Sequence, residues 1–320
     1  MTRVAAVDCG TNTIRLLVAD SAPSGASGGR LVDVVRRMEF VRLGQGIDAT
    51  GRIAPEAMAR TLAAAREYAT QCTELEVAAV RFVATSASRD ASNADEFVAG
   101  VREAFAAYDV SPEVVTGDEE AQLSFRGATG DLVATGVPGP YLVVDLGGGS
   151  TEFVRGGRTV ESALSTDIGC VRMTERHLHS DPPTAAQIDA ATRDVDAAVD
   201  RAQAHVGFDD VATLVGLAGS VTTITAHALH LPAYDPAVIH GSTVPVEQIL
   251  ASCRAILAAG RAERAAMPFM HEGRVDVIGA GALIWSRIVT RLSEAAGIEQ
   301  VRASEADILD GIALSLLDAG

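Results

Sequence analysis

Hydrophobic and polar positions change their period along the chain, and these changes predict alternating strands and helices. Apolar runs at residues 4–7 and 14–18 flank a polar turn, and another strand pattern follows at Leu31–Phe40. Residues 55–71 then have helical spacing, with a proline in a position that suits a first helical turn. Because strands and helices keep alternating beyond this point, the pattern predicts an α/β protein.

The same periodicities predict the remaining strands and helices. Further strands are expected at residues 77–84, 112–115, 141–145, 151–154 and 211–217. Further helices are expected at residues 93–105, from 119–127 onwards, and at 184–206, 221–229, 245–259 and 278–293. A final helix opens at the capping-box-like sequence of residues 304–307.

A stretch rich in glycine and proline, residues 130–140, has no clear period. A chain of 320 residues also exceeds the size at which a single core usually keeps growing. We therefore predict an N-terminal domain at residues 1–128, completed by the C-terminal helix at 304–320. The second domain is predicted at residues 129–303.

Two Asp-x-Gly sequences occupy matching places between predicted strands. They are Asp8-Cys9-Gly10 and Asp145-Leu146-Gly147. A single Asp-x-Gly is common, but a repeated strand, turn and strand predicts a duplicated domain.

The residues at these turns are suited to binding phosphate. The first turn combines a flexible backbone with hydroxyl and amide side chains, although the same sequence also suits a tight hairpin. Consecutive glycines in the second turn cost backbone entropy in any fold, which indicates that the backbone approaches a ligand closely. The candidate phosphate ligands are Gly10, Thr11, Asn12 and Thr13 in the first turn and Gly147, Gly148, Gly149 and Ser150 in the second.

Three carboxylates at or near the turns are candidate ligands of Mg²⁺, which binds proteins through carboxylates and substrate phosphates. Asp145 ends an apolar strand and is the first candidate, with Glu152 in the next strand and Asp8 as a weaker third. An aspartate in a turn also caps its own backbone, and Glu152 could equally face solvent.

Composition narrows the ways in which this chain can hold phosphate. It contains no lysine, so all 26 basic residues are arginine, which excludes the lysine of nucleotide-binding P-loops and Schiff-base mechanisms. Arg89, in a loop of small polar residues, is then a candidate phosphate ligand rather than an ordinary surface arginine. The net charge of −16 argues against nucleic acid or an anionic membrane as a partner.

Two further pairs of candidate site residues follow predicted strands. Glu119 and Glu120 lie at a predicted helix start, where the helix dipole favours any acid, and one of them could instead be a general base. Gly219 and Ser220 open another helix and could donate N–H groups to phosphate or simply permit close packing.

The four cysteines are scattered and have no disulfide-like spacing, which suits a reducing compartment. The N-terminus does not have the pattern of a signal peptide, and no apolar run approaches the length of a membrane span. A cytoplasmic protein is therefore expected. Oligomeric state is not encoded in any pattern, and a homodimer is compatible with the sequence.

Taken in order, these motifs resemble the exopolyphosphatase and guanosine pentaphosphate phosphohydrolase (Ppx/GppA) family, a branch of the superfamily that contains actin and the sugar kinases. The stretches that carry the resemblance are residues 8–16, 84–89 with Asn93, 116–121, 145–152, 167–170 and 216–220. The resemblance implies two actin-like (ribonuclease H-like) α/β lobes with an interdomain active-site cleft, in the short, two-lobe form.

The resemblance also implies roles for the candidate residues. Glu120, rather than Glu119, would be the catalytic base, Arg89 and the two turns would bind phosphates, and Asp145 and Glu152 would hold Mg²⁺. The implied activity is removal of the terminal phosphate of inorganic polyphosphate, on short chains. Hydrolysis of guanosine pentaphosphate is the main alternative, and a kinase of the superfamily or an actin-like nucleotide-binding scaffold are more distant ones.

Overall fold

In a computed structural model that describes residues 2–22 and 31–318, the chain forms two compact units. Unit 1 combines Met1–Leu132 with Ile308–Gly320, and unit 2 is Val133–Asp307. The strands are β1 (Arg3–Cys9), β2 (Thr13–Ser21), β3 (Leu31–Phe40), β4 (Ala79–Ala84), β5 (Glu113–Val114), β6 (Tyr141–Leu146), β7 (Thr151–Gly156), β8 (Val160–Thr166), β9 (Thr213–Leu217), β10 (Thr243–Pro245) and β11 (Gln300–Ala303). The helices are α1 (Ile47–Thr50), α2 (Pro55–Glu74), α3 (Ser86–Asp90), α4 (Ala94–Ala104), α5 (Gly117–Ala134), α6 (Cys170–His177), α7 (Ala185–Val206), α8 (Ala218–Ala228), α9 (Pro236–Ile239), α10 (Val246–Ala258), α11 (Arg261–Ala265), α12 (Ile278–Ala296) and α13 (Ile308–Asp318).

Unit 1 is built on a mixed sheet with the strand order β3-β2-β1-β4-β5. β1 pairs antiparallel with β2 and parallel with β4, and β4 is parallel to β5. Side chains alternate along β1, so Ala5, Val7 and Cys9 face a core that includes residues of α2 and α4. Val4 and Ala6 face a second core that includes residues of α5 and α13. The C-terminal helix therefore packs into unit 1.

Unit 2 is built on a mixed sheet with the strand order β10-β11-β9-β6-β7-β8. β6 pairs antiparallel with β7 and parallel with β9, which is parallel to β11. Its core contains the stacked rings of Phe153 and Phe208, with centroids 6.1 Å apart, and the fully buried Trp285. In the part of the chain that the structure describes, no helix is both long and apolar enough to span a membrane.

The two sheets share one plan. A central strand, β1 or β6, continues through a tight turn into an antiparallel partner and has a parallel strand, β4 or β9, on its other side. Parallel strands end at the same edge of a sheet. The residues that follow β4 therefore lie beside the first Asp-x-Gly turn, and those that follow β9 lie beside the second.

Two predicted helix starts were wrong, and a third helix runs well beyond residues 119–127. α5 continues to Ala134 through the exposed Gly130, because burial of Leu123, Phe125 and Leu132 offsets a glycine cost of about 1 kcal/mol. α8 begins at Ala218, so the predicted small-residue turn is the first turn of a helix. The last helix begins at Ile308 rather than at residue 304, because the Ser304 hydroxyl accepts from the N–H of Ala306 in a local turn.

Candidate active site

The two Asp-x-Gly sequences form hairpins closed by the same backbone hydrogen bond. In turn 1 (residues 10–13) the N–H of Gly10 donates to the carbonyl of Thr13 at 2.9 Å. In turn 2 (residues 147–150) the N–H of Gly147 donates to the carbonyl of Ser150 at 3.0 Å. Both turns thus begin two residues after an aspartate that is the penultimate residue of a central strand.

The carbonyl oxygens of turn 2 are held from behind by the start of α6. Three donors reach successive glycine carbonyls: Cys170 N to Gly147 O at 3.0 Å, Val171 N to Gly148 O at 2.9 Å and Arg172 Nε to Gly149 O at 2.8 Å. In a trans peptide, the carbonyl and the following N–H point in opposite directions. The N–H groups of Gly148, Gly149 and Ser150 therefore point away from α6, and such a run of backbone donors can bind an anion.

Gly169, directly before α6, makes this arrangement possible. A Cβ atom at this position would lie 2.3 Å from the carbonyl oxygen of Gly148 and 2.5 Å from the nitrogen of Gly149. Because both neighbours are backbone atoms, only glycine lets the helix start this close to turn 2.

Behind turn 2, two acids lie directly opposite each other in the β6–β7 ladder. Asp145 pairs with Glu152, and both are buried, at 8% and 1% relative exposure. Directly opposed residues of antiparallel strands lie on one face of the sheet, and like charges there destabilise it. The Ser165 hydroxyl donates to Glu152 Oε1 at 2.7 Å, which relieves part of that cost.

This acid pair fits a divalent cation. Residues 2–22 and 31–318 contain no group of three or more His, Cys, Asp or Glu side chains arranged for a metal ion. Mg²⁺ does not need such a group, since it commonly keeps several waters and uses one or two carboxylates with substrate phosphates. Asp145 and Glu152 supply two buried carboxylates beside a loop whose N–H groups can bind an anion.

At the same edge of the unit 2 sheet, Gly219 and Ser220 lie in the first turn of α8. A Cβ at Gly219 would lie 2.6 Å from the guanidinium carbon of Arg274. Arg274 is held in this position by a hydrogen bond that its Nη1 donates to Thr223 Oγ1 at 3.0 Å. This arginine also lies over the ring of Tyr234, with its guanidinium carbon 5.5 Å from the ring centroid. Ser220 is buried and hydrogen-bonded to the Cys170 thiol, so its hydroxyl faces the interior of unit 2.

Turn 1 has a different electrostatic environment. Asp8 lies opposite Arg15 in the β1–β2 ladder, and Asp8 Oδ2 accepts from Arg15 Nη2 at 2.6 Å and from Nε at 2.9 Å. Thr11 Oγ1 lies 2.8 Å from the hydroxyl of Ser86, which follows β4. The Thr11 carbonyl accepts from the N–H of Gly44 at 2.8 Å, and the Asn12 carbonyl accepts from the segment at residues 41–42.

The two adjacent glutamates at the start of α5 have separate arginine partners. Arg89 Nη1 donates to Glu120 Oε2 at 2.7 Å and to the Val115 carbonyl at 2.9 Å. Arg81 Nη2 donates to Glu119 Oε1 at 2.9 Å. Glu120 is buried at 7% relative exposure, whereas Glu119 is half-buried. Of the two acids, Glu120 is the one that contacts Arg89, the predicted phosphate ligand.

Within each unit, the structure brings several predicted residues together. Thr11 lies beside the residues that follow β4, Arg89 contacts Glu120, Asp145 faces Glu152, and Gly219 lies at the same sheet edge as turn 2. Sequence reasoning missed Arg15 and Arg274. Arg15 could have been found from strand register, because it follows Asp8 by the same spacing that separates Glu152 from Asp145.

Comparison with known proteins shows the family of this chain. Residues 18–316 match the model of the Ppx/GppA phosphatase family. The chain belongs to this family. Exopolyphosphatase 2 of Mycobacterium tuberculosis is 51% identical over 318 residues, and the alignment covers 99% of each chain.

Solved structures of the Ppx/GppA family and related proteins agree with the fold. A crystal structure of an exopolyphosphatase-like protein has a TM-score of 0.93 and 45% identity, covering 98% of this chain and 97% of that one. The Aquifex aeolicus Ppx/GppA family member has a TM-score of 0.79 and 28% identity, covering 99% and 98%. The predicted family and the predicted two-lobed, actin-like α/β fold are confirmed.

Proposed function

We propose that this chain is an exopolyphosphatase that removes the terminal phosphate of inorganic polyphosphate, preferring short chains. The observation that carries the proposal is Glu120, a buried acid in the first turn of α5 that is bonded to Arg89 at 2.7 Å. A carboxylate held beside a cation is suited to orienting a water molecule next to an anionic substrate. The 51% identity to a protein named Exopolyphosphatase 2 supports the choice of substrate.

In the proposed reaction, Glu120 accepts a proton from water as its oxygen attacks the terminal phosphorus. The bond from that phosphorus to the bridging oxygen breaks, and the oxygen leaves with the rest of the chain. The products are orthophosphate and a polyphosphate that is shorter by one unit. Phosphoryl transfer of this kind depends mainly on positioning and on stabilising charge.

We assign the stabilisation of charge to the two turns and to arginine. The N–H groups of residues 148–150, already directed away from α6, would bind phosphate oxygens, and residues 10–13 would add donors. Arg89 would bind oxygens of the terminal phosphate with its planar group. When bound by Asp145 and Glu152, Mg²⁺ would neutralise charge on the phosphate chain. We also propose a cytoplasmic location, which the four buried, free cysteines support.

Phosphate release from polyphosphates of graded length, with and without Mg²⁺, tests the substrate. We expect release from short polyphosphate, dependence on Mg²⁺, and slower release from long chains and from guanosine pentaphosphate. A large preference for guanosine pentaphosphate would make the nucleotide the substrate of the same site. Transfer of phosphate from ATP to an acceptor, without hydrolysis of polyphosphate, would contradict the proposal altogether.

The variant Glu120→Gln tests the base. It keeps the shape of the side chain but removes its ability to take a proton, so we expect kcat to fall by about 10³-fold, within the range of general-base catalysis. Asp118→Asn is the matched control, because Asp118 is an exposed acid of the same helical turn, and it should stay within about twofold of wild type. Retention of more than a few per cent of the rate by Glu120→Gln, with unchanged melting, would refute the assignment.

A further inference from the structure

The helix turn that carries Glu120 contains three successive acids, Asp118, Glu119 and Glu120. The helix dipole favours acids at this end, but adjacent negative charges repel one another. Thr116 contributes to the helix start, since its hydroxyl accepts from the N–H of Glu119 at 3.2 Å. Neighbouring cations are therefore needed to offset this repulsion and to fix the position of the turn.

Arg81, in the middle of β4, connects this turn to three other elements. Its guanidinium donates to Glu119 at 2.9 Å, to Glu113 of β5 at 2.6 Å and to the Ser315 hydroxyl of α13 at 2.9 Å. The side chain is only 18% exposed. The hydrogen bond that Arg81 donates to Glu113, opposed by burial and reinforced by Glu119, raises the pKa of the Arg81 guanidinium.

Glu119 and Glu120 cannot share this partner. Successive helical residues are about 100° apart around the axis, so their side chains leave the helix in different directions. Arg81 contacts Glu119 and Arg89 contacts Glu120, and the turn is therefore held on two sides.

α13 also fixes α5 further along its length. A Cβ at Gly311 of α13 would lie 2.0 Å from the carbonyl oxygen of Leu123, so the two helices meet with no room for a side chain. Arg126 Nη2 then donates to the Leu314 carbonyl at 3.0 Å, and Arg126 also pairs with Asp318. These contacts hold the body of α5, whereas Arg81 holds its first turn.

We infer that Arg81 is a positioning residue for hydrolysis: through Glu119 and Ser315 it fixes the first turn of α5 and with it the carboxylate of Glu120. The inference rests on the proposed role of Glu120 as the base. Arg81 itself contacts Glu113, Glu119 and Ser315 and acts on the reaction only through them. A catalytic group displaced by about 1 Å can lose about 100-fold in rate.

The test compares kcat, KM and melting temperature for Arg81→Met, Glu119→Ala and Glu119→Gln, with short polyphosphate as substrate. We expect Arg81→Met and Glu119→Ala to lower kcat by about 10- to 100-fold and to leave KM within about twofold. Glu119→Gln retains an oxygen that accepts from Arg81, so it should recover most of the rate that Glu119→Ala loses. The double variant Arg81→Met/Glu119→Ala should lose no more rate than Arg81→Met alone, because Glu119→Ala removes a contact that Arg81→Met has already broken.

Arg126→Met is the matched control, since Arg126 also anchors α5 to α13 but lies well beyond the first turn. It should lower the melting temperature and leave kcat within about twofold. Equal losses of kcat in Arg81→Met and Arg126→Met, or full kcat in Arg81→Met, would overturn the inference. If Arg81→Met does not fold, equal rates for Glu119→Ala and Glu119→Gln would overturn it. An active Glu120→Gln variant would refute the proposed role of Glu120 as the base. An inactive Glu120→Gln variant together with a fully active Arg81→Met variant would refute only the role of Arg81.

Discussion

Turn 1 and turn 2 are closed by the same backbone hydrogen bond but differ in the charge of the residue that faces each aspartate. Each follows an aspartate at the end of a central strand, and each is closed by one N–H to carbonyl bond across four residues. Across the hairpin, however, Asp8 faces Arg15, whereas Asp145 faces Glu152. Asp8 is paired with an arginine, whereas Asp145 shares its face of the sheet with a second acid.

This difference indicates a division of labour within a repeated unit. The ion pair with Arg15, which engages Asp8 Oδ2, gives the aspartate of turn 1 a structural partner before any ligand arrives. The two opposed acids of unit 2 repel each other across the hairpin, and a bound cation would reduce that repulsion. We propose that the metal ion binds at turn 2, and Asp8 stays the weakest of the three predicted metal ligands.

Removing one acid of the pair should have the largest effect. We expect Glu152→Gln and Asp145→Asn each to lower kcat/KM by about 10³-fold, the loss typical of one strong electrostatic contact. Without metal, their melting temperatures should equal or exceed that of wild type, because the repulsion between two buried acids is gone. The rise in melting temperature that Mg²⁺ gives the wild-type protein should disappear.

Asp8→Asn is the matched control at turn 1. It should keep the Mg²⁺-dependent rise in melting temperature, measured by thermal unfolding over a series of Mg²⁺ concentrations. Loss of that rise in Asp8→Asn, or its retention in both unit 2 variants, would contradict the division between the turns.

The second effect concerns stability rather than rate. Arg15→Met leaves the carboxylate of Asp8 without its arginine in a site where Asp8 is 6% exposed, and we expect unfolding to cost about 2 kcal/mol less. The double variant Asp8→Asn/Arg15→Met should recover part of this loss, because the charge that needed a partner has also been removed. Denaturant titration measures both values, and equal stability of the single and double variants would count against the pairing.

Glycine substitutions compare how the two turns are supported. At turn 2, Gly169→Ala brings a Cβ against the backbone of Gly148, which cannot move without moving the turn. At turn 1, Gly44→Ala places a Cβ 2.2 Å from Cγ2 of Thr11, a methyl group that rotation of the side chain can move, and 3.3 Å from the Thr11 carbonyl oxygen. We expect kcat/KM to fall by about tenfold in Gly169→Ala and by less than about threefold in Gly44→Ala. The opposite order would show that turn 1 is the more sensitive of the two.

Much of this fold could be read from the sequence, because strand periodicity and turn chemistry are local. The predicted strand Leu31–Phe40 has the bounds found in the structure, and both central strands were expected. The four-residue β11 was missed, since its alternation is too short to be distinguished from a loop. The start of α8 was placed three residues late because Gly219 and Ser220 are also typical of turns.

Residues of the candidate site could be predicted from the sequence where they lie within or next to a recognisable motif. Glu120 and Glu119 have the same local sequence context, and what separates them in the structure is the contact of Glu120 with Arg89 and its burial. Arg274 and Arg81 had no local signal, because the contact of Arg274 with Thr223 spans 51 positions and that of Arg81 with Ser315 spans 234. Such contacts depend on tertiary packing, which a single sequence does not reveal.

The smallest expected effect concerns the thiols behind the two turns. Burial raises the pKa of Cys9, and the neighbouring charge of Asp8 raises it further. Burial also raises the pKa of Cys170, but the Ser220 hydroxyl and the charge of Arg274 lower it in part. Because only the thiolate is alkylated, we expect both to react slowly in the folded protein and Cys170 to react before Cys9 as the pH rises from 8 to 10.

Peptide mass analysis after timed exposure to iodoacetamide measures this order, and Arg274→Met should reduce the difference between the two thiols. The same raised pKa values make stability depend on pH. Their contribution to the free energy of unfolding is fully present below about pH 8.5, where the thiols of the unfolded chain also keep their protons. Above that pH the unfolded chain binds fewer protons, so this part of the stability should fall as the pH rises. Reaction of Cys9 before Cys170 would contradict this order and would show that the charge of Asp8 does not raise the pKa of Cys9.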